Sequence, residues 1–215
     1  MNPPDSPNTP TVPPEEPPKH GYDRSDWQAH YETGDLKWDL GEVSPPLKRL
    51  WEEGTLIPGR MLVPGCGQGH EVLFFARQGF SVTGVDFAPG AVALLSRRLT
   101  GQGLAGRVIC ADFFALDASH NGAYDVILEQ TFFCAIHPDD RERYVETVCR
   151  LLKTGGLLAG LFYETGEEGG PPFNTTEEDI RRHFSRNLVI ERLEKCDHSV
   201  ERREGKEWLA VMRKA

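Results

Sequence analysis

With 215 residues and 39% of them hydrophobic, the chain has the material for one ordinary core and is cramped for two. Its formal net charge of −9 argues against a broad basic face for gripping a nucleic-acid backbone and suits a small-molecule substrate. Cys66, Cys110, Cys134, Cys149 and Cys196 stand singly, with no CxxC pair and no close Cys/His group, so neither a metal site nor a disulfide framework is expected.

No run approaches the roughly 20 apolar residues that span a bilayer, and the N-terminus lacks a basic start and an apolar signal core. A soluble, cytoplasmic protein without membrane or nucleic-acid partners, most simply a monomer, is the expectation. Residues 1–20 hold half of the 16 prolines among Asn, Ser, Thr and Glu, a composition that cannot offset the entropy of ordering. They read as a disordered Pro-rich tail, and residues 21–215 as the folded domain.

The domain opens with an aromatic segment. Helical stretches are expected over Arg24–Thr33 and Pro46–Glu53, and Trp27 and Tyr31, at i and i+4, share one helix face with Trp38 following. That stripe is either core packing or a surface turned to a ligand. Beyond Gly59, short apolar runs alternate with helical segments, the pattern of a parallel sheet flanked by helices. Strands are predicted at Met61–Pro64, Ser81–Asp86, Val108–Ala111, Tyr124–Glu129 and Leu157–Tyr163, separated by helices at Glu71–Arg77, Ala91–Leu99 and Asp139–Leu152. The last of these helices is expected to end at Gly155 and Gly156, where glycine can take a left-handed cap. A helix over Glu177–Phe184 precedes two strands, Leu188–Asp197 and Glu207–Met212, whose short connection predicts an antiparallel pair. The fold class is α/β: a Rossmann-like, doubly wound, mostly parallel sheet of seven strands.

The sharpest motif is Leu62-Val63-Pro64-Gly65-Cys66-Gly67-Gln68-Gly69, a strand entering a GxGxG turn that opens a helix. Gly65, Gly67 and Gly69 permit a tight bend and close approach to a ligand, beside the unpaired amides of a helix N-terminus. Val82-Thr83-Gly84-Val85-Asp86 then ends the next strand in a carboxylate about 20 residues on, the place for a ribose diol clamp. Asp86 could instead cap the helix that begins near Pro89. His70 fills the third glycine position of the dinucleotide fingerprint GxGxxG, and this spacing, with the closing antiparallel strands, favours S-adenosylmethionine over a dinucleotide. Asp112 with Phe113 and Phe114 follows the third strand, suited to an adenine amino group and ring, and Glu129-Gln130-Thr131-Phe132-Phe133 follows the fourth. Asp112 could equally be a turn residue, and the phenylalanines could fill core.

These residues resemble the class I methyltransferases and, more narrowly, the thiopurine S-methyltransferase superfamily, from Trp27 to the C-terminus. The stretch Glu129-Gln130-Thr131-Phe132-Phe133-Cys134-Ala135-Ile136-His137-Pro138, with Arg141 after it, is similar to the plant-type halide and thiol methyltransferases. Gly170-Pro171-Pro172-Phe173 resembles a loop of the thiopurine enzymes themselves. The resemblance implies an N-terminal aromatic lid, with Trp27, Tyr31 and Trp38 enclosing the cofactor. It also implies cofactor contacts at Gly65, Asp86, Asp112, Phe113 and the Glu129-Gln130 pair. Tyr31 stands where many relatives carry a second tryptophan. Gln130 stands where thiopurine enzymes often have arginine and the halide group tyrosine, which leaves the acceptor open.

The implied reaction is in-line transfer of the sulfonium methyl to a small soft nucleophile (thiol, hydrosulfide, halide or thiocyanate), leaving S-adenosylhomocysteine. Alignment and exclusion of water can supply up to roughly 7 to 11 kcal/mol in such a displacement, without a metal or covalent nucleophile. Phe133, Tyr163, Phe173 and the lid aromatics are expected to wall the acceptor, with His137, Tyr163 and His70 as candidates if a base is needed. Alternatives within enzymes are aromatic or heterocyclic thiols and tellurium or selenium oxyanions. A module that binds the cofactor without turnover, and a nicotinamide-dependent oxidoreductase, are the readings from other classes.

Overall fold

The computed structural model describes residues 21–215; the expected tail at 1–20 lies outside the described residues. Helix α1 (Arg24–Thr33) starts at a capping box, in which Asp23 accepts from the Ser25 and Asp26 amides while Asp26 accepts from the Asp23 amide. None of its residues is buried, so α1 is held from outside the core. Helix α2 (Pro45–Glu52) begins on two prolines and drives Leu47 and Leu50 inward.

One sheet gathers β1 (Arg60–Pro64), β2 (Ser81–Asp86), β3 (Arg107–Cys110), β4 (Tyr124–Gln130), β5 (Leu152–Tyr163), β6 (Leu188–Lys195) and β7 (Glu207–Lys214), in the order β3-β2-β1-β4-β5-β7-β6. The first five strands pair in parallel, and β7 runs antiparallel to both β5 and β6. Met61, Leu62 and Val63 are all buried, because helices cover both faces of this central strand. Alternation sorts them. Met61, Val63, Val126 and Leu128 pack with α2, α3 (His70–Arg77) and α4 (Pro89–Gly101). Leu62 and Ile127 face α5 (Arg141–Leu151) and α6 (Glu177–Phe184).

The chain builds outward from β1 to β3 and then returns to place β4 on the other side of β1. This reversal opens a crevice beyond the carboxyl ends of β1 and β4, the usual ligand position in open α/β sheets.

One expected element boundary is overturned. Helix α5 does not run on to a cap at Gly155 and Gly156; it stops at Leu151, and Leu152 is already extended (φ −69°, ψ 142°) and paired with Tyr124. The amides of Gly122 and Ala123 take the carbonyls of Arg150 and Leu151, so the helix end is satisfied by a neighbouring loop. The two glycines lie inside β5 instead, where register slips between the Tyr124 and Val126 pairings and Gly155 takes φ 76°.

Candidate active site

The floor of the crevice is a backbone structure. Gly65, Gly67 and Gly69 have φ of 54°, 51° and 77°, and a Cβ at Gly65 would lie 2.4 Å from the Phe132 ring. The turn is tied to the next strand by the Cys66 amide on the Val85 carbonyl (3.1 Å) and closed by the Gly69 amide on the Cys66 carbonyl (2.8 Å). From α4, Arg98 donates to the Gln68 carbonyl at 2.7 Å.

Asp86 sits where the strand end meets both the glycine turn and the start of α4. One oxygen accepts from the Ala88 amide (2.9 Å) at the start of α4, the other from the Gly67 amide (3.0 Å), and the residue also lines the cavity. Burial pushes its carboxyl up, and the amides of Ala88, Gly67 and Phe87 work against that shift. Each carboxylate oxygen has further acceptor capacity, so a vicinal diol is within its chemistry. The residues fit a nucleoside: Gly65 presents bare backbone to the cavity beside Asp86, where a Cβ would have no room.

Beyond β3, Asp112 accepts from the Phe114 amide (2.9 Å), opening the single turn Phe113–Ala115. Phe113, Phe114 and Phe132 form an aromatic wall with ring centroids 5.4 to 6.3 Å apart. Beyond β4, Glu129 is fully buried, and its carboxylate is taken up by the Phe132 and Phe133 amides and the Tyr144 hydroxyl.

The aromatic segment forms the roof. Trp38 stands edge-on to Trp27 (5.2 Å), His30 (5.2 Å) and Tyr31 (6.2 Å). Three anchors hold this segment down: at the glycine turn, Gln68 Nε2 donates to one Asp39 oxygen and His70 Nε2 stands 2.9 Å from the other. Gln28 accepts from the Gly90 amide (2.8 Å) at the first turn of α4. From the β6–β7 connection, Arg203 donates to the Trp38 carbonyl (2.7 Å), while Arg202 donates to the carbonyls of Lys37 (2.6 Å) and Asp39. Arg203 is itself buried, paired with Glu207 at 3.1 Å and set over the Tyr163 ring at 5.7 Å.

Floor, wall and roof enclose one cavity of about 690 Å³. Of the residues singled out from sequence, Trp27, Tyr31, Trp38, Gly65, Asp86, Asp112 and Phe113 line it, as do Tyr163 and His137. Gly67, Gly69, Glu129 and Gln130 do not: the glycines shape the turn, Glu129 faces the loop after β4, and Gln130 is half-buried with an unpartnered Oε1. Phe133, expected in the acceptor wall, is core, packed on Tyr144, Phe162 and Phe184 beneath the Arg141 guanidinium. Phe173 is likewise buried against His137, and the cavity surface there belongs to Pro171, Pro172 and Cys134. His137 itself opens the turn Pro138–Asp140, accepting from the Asp139 amide at 3.3 Å. Sequence reasoning missed Arg202 and Arg203, whose only local signal is a pair of cations in a short strand connection.

Comparison with known proteins gives a consistent picture. The family model described as thiopurine S-methyltransferase matches residues 22–214. Thiocyanate methyltransferase 1 of Brassica oleracea is 32% identical over 212 residues, covering 94% of this chain and 92% of the relative. Thiopurine S-methyltransferase of Azotobacter vinelandii is 32% identical over 187 residues, 80% and 86% of the two chains. The fold matches a solved 1,6-didemethyltoxoflavin-N1-methyltransferase of Burkholderia thailandensis, with bound S-adenosylhomocysteine, at TM-score 0.73 and 19% identity over 89% of this chain and 87% of that one. No helix among the described residues is long and apolar enough to cross a membrane. The chain belongs to the thiopurine S-methyltransferase family and is an S-adenosylmethionine-dependent methyltransferase.

Proposed function

We propose that the enzyme methylates a small soft nucleophile (a thiol, hydrosulfide, halide or thiocyanate) by in-line displacement inside this cavity. The observation that carries the reading is the continuity of one space from Gly65 and Asp86 to Tyr163, Cys134 and Arg203. Bound S-adenosylmethionine would supply an electrophilic methyl on a sulfonium. Asp86 would accept from the ribose hydroxyls, and Asp112 and Phe113 would meet the adenine. Trp27, Tyr31 and Trp38 would close over the cofactor and exclude water, which strengthens every electrostatic contact inside.

At the other end of the cavity, Tyr163, Pro171 and Pro172 give an apolar surface to orient the acceptor. Burial, with the nearby Glu129 charge, pushes the Cys134 thiol up to about 12, so it stays protonated and does not compete as a nucleophile. The buried Arg203 guanidinium there is paired with the buried Glu207 carboxylate at 3.1 Å, so the pair adds no net charge. Such apolar surroundings suit an acceptor that arrives already ionised, for which no strong general base is required. Soft anions lose less hydration energy than hard ones on entering such a pocket.

A second reading, methylation of an aromatic or heterocyclic thiol, is favoured by the ring surfaces of Tyr163, Pro171 and Pro172 at the acceptor end, on which a planar ring can lie. Labelled cofactor with iodide, thiocyanate, hydrosulfide, methanethiol, thiophenol, a thiopurine and tellurite separates the two. Turnover of the inorganic anions with little of thiophenol or thiopurine supports the first reading, and the reverse preference supports the second. Methylation of tellurite alone would overturn both.

A further inference from the structure

The turn after β4 carries a conformational cost and a buried acid to which the scheme above gives no task. Thr131 has φ 60°, and among the described residues it is the one non-glycine with positive φ. For a β-branched side chain this conformation persists only when its surroundings impose it.

The surroundings are Glu129. It is 0% exposed, and its Oε1 accepts from the amides of Phe132 (2.8 Å) and Phe133 (2.9 Å), while its Oε2 accepts from the Tyr144 hydroxyl (2.6 Å). The acid therefore grips the chain on the far side of Thr131 and is fixed in turn by α5. Opposite it in β5 stands Gly160, where a Cβ would come within 2.2 Å of the Glu129 Cβ, so the partner strand leaves room for it. Thr131, Phe132 and Cys134 all line the cavity, and Phe132 presses on Gly65 of the cofactor turn.

We propose that Glu129 is a positioning residue: by seizing the amides at 132 and 133 it holds Thr131 in the left-handed conformation and so sets the wall between the cofactor turn and the acceptor end. The acid acts through Thr131 and Phe132, without touching cofactor or acceptor. Its kinetic consequence rests on the methyl-transfer reading; its conformational one does not.

The test is a double-mutant cycle on the full chain with Glu129→Leu and Thr131→Gly, read in folded protein at 25 °C. Glu129→Leu should lower kcat at least about tenfold while S-adenosylhomocysteine affinity, by calorimetry, changes less than about threefold. In the Thr131→Gly background the same substitution should cost much less, because glycine adopts the turn unaided. Glu129→Gln, which can still accept both amides, should retain most of kcat. Amide exchange at Phe132 and Phe133 should quicken in Glu129→Leu and not in Glu129→Gln. If Glu129→Leu fails to fold, Tyr144→Phe, which frees only Oε2, takes its place with the same expectations at smaller size. Equal losses in both backgrounds, or unchanged exchange, would overturn the proposal. An enzyme that methylates none of the acceptors above would sink the functional reading, and exchange and affinity would still decide the role of Glu129.

Discussion

The floor and the roof of the cavity are built in opposite ways. The floor is backbone fixed by buried groups: Asp86 holds the glycine turn, Glu129 holds the turn after β4, and both are almost fully enclosed. The roof is a helix with no buried residue and the loop after it, hung from side-chain bonds by Gln28, Arg202 and Arg203 and by Asp39 to Gln68 and His70. Floor geometry is thus bound to global folding, whereas the roof is expected to open at lower cost than the sheet unfolds. The two halves of one site should respond to different perturbations.

The largest separation is expected at Asp86. Asp86→Ala removes the proposed ribose acceptor and frees the Gly67 amide, and S-adenosylhomocysteine affinity should fall at least about 100-fold, about 3 kcal/mol. Calorimetry showing wild-type affinity would break the assignment of the floor.

Of nearly the same size is the pH dependence contributed by Glu129, whose carboxyl is pushed up to about 7 from an ordinary 4.5, chiefly by burial and against the pull of its three donors. The native state then holds a proton that the unfolded chain has released, so wild-type stability declines as pH rises between those two values, by about 3 kcal/mol in all. Glu129→Gln should lack that decline. Urea unfolding at about pH 5 and about pH 8 measures it, and parallel slopes for the two proteins would refute it.

Gly65→Ala comes next. The positive φ and the 2.4 Å approach to Phe132 should together cost about 1 to 3 kcal/mol in urea unfolding and weaken the cofactor turn. The smallest effect is reserved for the roof. Arg202→Ala removes two exposed hydrogen bonds, so global stability should change by less than about 1 kcal/mol while proteolysis near α1 accelerates. A large drop in Tm would mean that roof and floor are one cooperative unit.

What the sequence disclosed follows the same division. The strand ends were legible because short apolar runs stop at Gly65, Asp86 and Asp112, and those residues line the cavity. Glu129 was legible as a polar residue closing a strand, but not its direction: one position along β4 decides between cavity and core, and α5 supplies Tyr144 to claim it. The same blindness affected Phe133, which sits beside the cavity residue Phe132 and points into the core. The end of α5 was misread because Gly155 and Gly156 look like a cap, whereas burial of Leu151 and Leu152 and the pairing to Tyr124 draw the chain into the sheet first. Arg202 and Arg203 reach across more than 160 positions to the roof, and no local pattern encodes such a contact.

The protein carries four tryptophans, and the structure divides them evenly. Trp51 packs on Phe80 and Trp208 donates to Glu164, both apart from the cavity, whereas Trp27 and Trp38 meet at 5.2 Å on its inner surface. Two of the four indoles therefore stand where a ligand would sit. Titration followed by tryptophan fluorescence should report occupancy without any added dye, and replacing Trp51 and Trp208 by phenylalanine would leave a sensor whose whole signal comes from the site.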